Sequence, residues 1–218
     1  MQKRKLMIIL SVVLVILISF IIYFLYTLNI IPHRKYTNSD FGIETYISLV
    51  DKDNDGIDDQ SDIINNTREY IATNPKYKSK YYATGYPDDE YGVCTDVVAF
   101  SLNDAGYDLM ELVNEHIKAN RELYNIGTID KNIDFRRVVN LDVYFKNTAI
   151  GLTTDVNKID EWQGGDIVVF KKHIGIVSDK RNKNGVPFII HHANPYQVNY
   201  EEDILEQRDD IIGHYRIS

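Results

Sequence analysis

From Leu6 to Leu28 the chain runs for 23 residues without a charge, broken only by Ser11, Ser19 and Thr27. A helix of about 20 such residues spans the hydrocarbon of a bilayer. Lys3-Arg4-Lys5 precede the run, and basic flanks stay on the cytoplasmic side, which sends the remainder of the chain outward. Tyr23 and Tyr26 fall where aromatic rings settle at the far interface. The run is long for a signal peptide and no A-x-A-like cleavage site follows it, which favours an uncleaved anchor. The expected organisation is a cytoplasmic stub at 1–5, a transmembrane anchor at 6–28, a polar stalk at 29–43 and an extracytoplasmic domain at 44–218.

The charge divides in the same place. The chain carries 32 acidic and 24 basic residues. Five of the basic residues (Lys3, Arg4, Lys5, Arg34 and Lys35) precede any acid, leaving 19 against 32 and a net of −13 for residues 36–218. Phosphate binding needs clustered Lys and Arg, so an acidic body of this kind argues against nucleic acid as partner. The single cysteine, Cys94, excludes an internal disulfide framework. In an oxidising compartment a lone thiol is either inert in a core or does chemistry.

Periodicity predicts helices over 62–73, from Cys94 to a stop at Gly106, over 109–120 and over 135–147. Residues 76–93 read as loop. Four β-like runs follow, Asp166–Phe170, His173–Ser178, Pro187–His192 and Ile211–Ile217, with a hairpin loop at 179–185 between the middle two. Helices first and an antiparallel sheet after them make the fold class α+β.

Between residues 51 and 62 lie six acids. Asp51, Asp53, Asp55, Asp59 and Asp62 take positions 1, 3, 5, 9 and 12 of a loop, with Gly56 at position 6 and the Ile57 carbonyl at position 7. Ca²⁺ takes six to eight oxygens, and the glycine permits the turn that gathers them. The loop resembles the D-x-D-x-D-G-x-x-D-x-x-D loops of bacterial surface proteins and thrombospondin type 3 repeats. It departs from an EF-hand in having Asp at position 12 and Asp58 at position 8. The simpler alternative is a solvated acidic turn that caps the next helix with Ser61 or Asp62. A bound Ca²⁺ would be structural, since it offers little to a centre made of Cys and His.

Cys94 stands where loop becomes helix, in Gly92-Val93-Cys94-Thr95-Asp96. Free N–H groups and the positive end of the helix dipole favour a thiolate there and can hold an oxyanion beside it. A thiolate nucleophile needs a base, and the base needs orienting. His33 falls in the stalk and His116 on a polar helix. His173 opens one strand, with Gly175 leaving room beside it, while His191 and His192 end the next. Because side chains alternate, only one of that pair can share a face with His173.

The order GVCTDVV, GGDIVVF, HIGIVSDK and a histidine-bearing strand resembles the NlpC-type cell-wall cysteine peptidases, a circularly rearranged branch of the papain-like fold. Closer still is an uncharacterised bacterial amidase-like family of that superfamily, with the further runs NIDFRRV, FIIHH and GHYR. The resemblance covers residues 44–218. It implies Cys94 as nucleophile, His173 as general base and His191 as orienting residue. In the closer family Asn usually follows that histidine, where this chain has His192. Tyr82, in Tyr82-Ala-Thr-Gly85, matches a site-lining tyrosine. Asp96 replaces the glycine of the usual Ser-Gly, and would oppose thiolate formation unless it points away or pairs with Arg136 or Arg137.

The expected function is therefore a membrane-anchored cysteine amidohydrolase or peptidase acting on peptidoglycan peptides, with no catalytic cofactor. Alternatives are a thiol acyltransferase or lipid-amide hydrolase on the same fold, or a non-catalytic calcium-dependent wall-binding module. A Zn²⁺ site from Cys94, His173 and His191 lacks any C-x-x-C or H-E-x-x-H spacing.

Overall fold

A computed structural model describes residues 2–218, in two compact units that divide between Arg34 and Lys35. The first holds helix α1 (Gln2–Thr27), apolar from Leu6 onward and with no buried residue. Its length and composition suit a membrane span, and a signal sequence meets the same criterion.

The second unit is α+β. Its helices are α2 (Asp59–Ala72), α3 (Cys94–Asp104), α4 (Leu109–Ala119), α5 (Lys131–Asp134) and α6 (Val138–Thr148). Two short strands, β1 (Lys76–Tyr77) and β2 (Tyr91–Gly92), pair in parallel. The main sheet comprises β3 (Ile150–Gly151), β4 (Ile167–Phe170), β5 (His173–Arg181), β6 (Pro187–Ile190), β7 (Glu201–Glu202) and β8 (Ile211–Arg216). Its order is β3-β8-β4-β5-β6-β7, antiparallel at every step.

Alternation along the central strands feeds two cores. Ile167, Val169, Ile174, Ile176 and Ile190 pack with Val97, Val98 and Leu102 of α3 and Val113 and Ile117 of α4. The intervening Val168, Phe170, Val177 and Ile189 pack with Trp162, Val186 and Leu205 on the other face. Each such side chain, fully buried, stabilises by about 1.5–3 kcal/mol. Two covered faces explain why β4, Ile-Val-Val-Phe, shows no polar alternation. Helix α3 ends as its spacing predicts, with Gly106 at φ +81° and the Tyr107 amide returning to the Leu102 carbonyl.

Several boundaries differ from expectation. Residues 35–43, expected as stalk, are built into the domain. Tyr36 bridges Arg181, and Asn38 bonds Gln163 and the buried Arg181 guanidinium. That guanidinium is otherwise satisfied by the carbonyls of Ile159, Trp162 and Gly185, none of which a sequence pattern announces. Helix α2 starts earlier than expected because Asp58, not Ser61 or Asp62, is its cap, accepting from the Ser61 and Ser48 amides. The predicted helix 135–147 begins at Val138, since Arg137 takes an extended backbone as its cap. The loop at 76–93 contains β1 and β2. The hairpin turn is tighter than 179–185, because the Asn182 side chain accepts from the Asn184 and Val186 amides.

Candidate active site

Cys94 is the first residue of α3 and half-buried. The amides of Ile174, Thr95 and Cys94 itself act on its sulfur. The first of these belongs to β5, so the tertiary fold sets Cys94 against the start of the strand that His173 opens. Burial nevertheless dominates: with Asp96 adding to it, it pushes the thiol up to about 11. The helix-start position alone predicts a lowered value, but the desolvation of a packed site outweighs the dipole.

Asp96 is fully buried and answers the problem it poses. Arg136 grips it through two bonds, Nε to Oδ1 at 2.7 Å and a terminal nitrogen to Oδ2 at 2.8 Å. The same carboxylate accepts from the Val93 amide at 2.8 Å, so it caps the helix that carries Cys94. Arg136 also donates to the Lys80 carbonyl and lies 5.0 Å from the centre of the Tyr82 ring, whose hydroxyl bonds Asp89. Tyr82, Asp96 and Arg136 therefore form one buttress for the start of α3. Arg137 points away, half-exposed, with Asp134 at 4.0 Å.

The histidines form a chain. Nε2 of His173 lies 2.8 Å from Nδ1 of His191, and Nε2 of His191 lies 3.0 Å from Oε2 of Glu202. Gly175 makes this possible: a Cβ there would sit 2.9 Å from the Ile190 carbonyl and 3.1 Å from the His191 Cβ. Of the two candidates at the end of β6, His191 is the one that reaches His173. His192 is buried with its ring against Tyr77 and Tyr200, each 5.2 Å away, and its Nδ1 has no hydrogen-bond partner. Burial, with His191 next, pushes His192 down to about 4. His173 falls further, to about 3, from burial first and then His191 and Arg208, with Asp210 opposing. Cys94 and His173 are thus a neutral thiol and a neutral imidazole at pH 7. Among the described residues no hydrogen bond joins them, and Nδ1 of His173 has no partner.

Glu202 escaped the sequence reading. Its only local signal is a polar pair, Glu201-Glu202, on a two-residue strand. The register opposes Glu202 to Ile189, which puts it on the His191 face, whereas Glu201 opposes Ile190 and reaches Ser178 and Arg68. His214 has a separate task. It stacks on Trp162 at 3.7 Å and bonds the fully buried Asp166, which also holds Arg216 and Gln60.

In the acidic loop, carboxylate oxygens of Asp51, Asp53 and Asp55 lie within 4.8 Å of one another. The amides of Asp55, Gly56 and Ile57 fold back onto them. Asp62, at the start of α2, is buried, and its carboxyl is raised to about 6 by burial and then by Asp53 and Asp55. Asp59 is engaged elsewhere, with its oxygens accepting from the Lys52 amide and the Tyr107 hydroxyl.

Residues 64–217 match a family described as a domain of unknown function (DUF1287). The chain belongs to this family. The matched stretch contains Cys94, the three chained residues and the Asp96–Arg136 buttress, while the acidic loop lies before it. An uncharacterized protein of Escherichia coli (strain K12), YijF, is 35% identical over 167 residues, covering 71% of this chain and 80% of its own. No solved structure matches.

Proposed function

We propose that this DUF1287 domain is a papain-like cysteine amidohydrolase or peptidase. The observation that carries the reading is a half-buried cysteine at a helix start, its sulfur met by the amide of Ile174, the residue after His173, together with a His–His–Glu chain whose first histidine keeps Nδ1 unbonded among the described residues. The order of these residues along the chain matches the NlpC-type pattern, with Cys94, His173 and His191 as nucleophile, base and orienting residue.

In the proposed reaction, Nδ1 of His173 takes the Cys94 thiol proton as the sulfur attacks the amide carbonyl. The neutral pair makes proton transfer concurrent with attack rather than complete beforehand. Amides at the first turn of α3 hold the developing oxyanion. The C–N bond then breaks and the leaving amine takes the proton from His173, which leaves an acyl-Cys94 thioester. A water molecule, deprotonated by His173, hydrolyses it and the thiol is restored. Catalytic hydrogen bonds in unliganded enzymes are often long and tighten with substrate, and the Cys94–His173 contact is assigned to that step.

The substrate we propose is a peptidoglycan peptide, with the domain held outside the cytoplasmic membrane by α1. The basic flank of α1 supports that placement. The test is digestion of purified peptidoglycan, with mass spectrometry of the fragments and labelling by a thiol-directed probe. Cys94→Ala should abolish both turnover and labelling while the domain stays folded. Digestion by Cys94→Ala at the parent's rate overturns the reading.

We also propose that the acidic loop binds a structural Ca²⁺ through Asp51, Asp53, Asp55, the Ile57 carbonyl and Asp62. The convergent carboxylates, and the upward push that Asp53 and Asp55 exert on Asp62, support this. Asp59, expected as a sixth ligand, is already committed to Lys52 and Tyr107.

A further inference from the structure

We infer that Glu202 is a positioning residue of this site, fixing through His191 which nitrogen of His173 is free to act as base. The inference rests on the hydrolase reading above and adds a residue that the resemblance does not supply.

An ionised carboxylate only accepts, so the 3.0 Å contact between Glu202 Oε2 and His191 Nε2 requires the proton on that nitrogen. A neutral imidazole carries one proton, so Nδ1 of His191 is then an acceptor. The 2.8 Å contact to His173 therefore requires His173 to donate from Nε2. Its remaining nitrogen, Nδ1, is left with a lone pair, and it is the one with no partner among the described residues. One carboxylate thus sets two tautomers in series. When His173 takes a proton, its positive charge is steadied by His191 and, behind it, by Glu202.

No neighbour competes for this role. Gln197 approaches His191 Nε2 at 3.5 Å, but its amide nitrogen donates to the His191 and Asn199 carbonyls at 3.2 and 2.8 Å. Its oxygen accepts from the Ala193 amide at 2.6 Å, which fixes the orientation of the amide group. Arg208 and Asp210 act on His173 from the segment before β8, and His192 from just beyond β6, but among the described residues the only side-chain hydrogen bond to His173 is that of His191.

The test uses the full chain in detergent micelles, labelled with ¹⁵N-histidine, and a thioester-forming probe that acylates Cys94. Long-range ¹H–¹⁵N spectra should show both His173 and His191 protonated at Nε2. Glu202→Met should shift His191 to a mixture of tautomers and slow acylation by about 10- to 100-fold, the scale seen when a metal-bound histidine loses its carboxylate partner. Glu202→Gln retains an acceptor oxygen, so it should keep the tautomer and slow acylation less. An Nδ1-protonated His191 in the parent, an unchanged tautomer in Glu202→Met, or parental acylation in both variants overturns the inference. If the tautomers behave as stated but Cys94 is never acylated, the hydrolase reading fails and the positioning chain stands.

Discussion

A buried carboxylate two residues from Cys94 is a liability unless something neutralises it, and here Arg136 does so. The pair is almost completely dry, with 5% and 0% of the two side chains exposed. Removing one partner from a buried pair leaves an uncompensated charge and costs roughly 3–5 kcal/mol. Arg136→Ala should therefore lower the thermal midpoint substantially, and Arg136→Ala with Asp96→Asn should recover part of that loss. If the single variant melts with the parent, the buttress is not what holds the start of α3. His173 gives a pH dependence at the same scale. Its folded pKa lies near 3 and its unfolded value near 6.5, so the unfolded chain binds the extra proton between them. The stability it contributes is complete above about 6.5 and is lost as pH falls toward 3. His173→Gln should flatten that part of a denaturation-against-pH series.

At the scale of elements, α2 and the loop before it share one electrostatic problem. Asp62 has a folded pKa near 6 against 3.8 unfolded. Its destabilising contribution is absent below about 3.8, grows as pH rises and is complete above about 6. Ca²⁺ should remove it. Adding calcium at pH 7 should raise the melting temperature, Asp55→Ala should abolish the rise, and the gain should shrink as pH falls below 6. A calcium-independent melting temperature at pH 7 would leave the loop as an acidic turn before a helix capped by Asp58. The pairing of α3 with β5 is a different matter. It brings the Ile174 amide to the Cys94 sulfur across 80 residues of sequence, so no local motif reveals it.

For the molecule as a whole, the division at Lys35 predicts that residues 35–218 fold without α1. Expressed alone, that piece should be soluble and should melt cooperatively. Starting instead at residue 44 removes Tyr36 and Asn38. That deletion takes a hydrogen-bond partner from Arg181, which is 1% exposed. The shorter piece should melt at lower temperature, and equal melting temperatures would show that residues 35–43 are dispensable.

The sequence by itself determined whatever depends on local order. The apolar run of α1, the α+β progression, the helix starting at Cys94, the strand that His173 opens and the one that ends just before His191 follow from periodicity, because a helix or strand face is written at fixed spacing. The single cysteine and the two strand-end histidines were legible as candidates for the same reason. The tertiary structure decided everything that depends on register and burial. It put His191 rather than His192 against His173, brought in Glu202 through a two-residue strand, and engaged Asp59 with the Lys52 amide and the Tyr107 hydroxyl. It also made Arg136 an internal partner of Asp96, and set the Cys94 thiol above its ordinary range where the helix start alone implied the reverse. Register and desolvation are properties of segments distant in sequence, and no spacing along one segment encodes them.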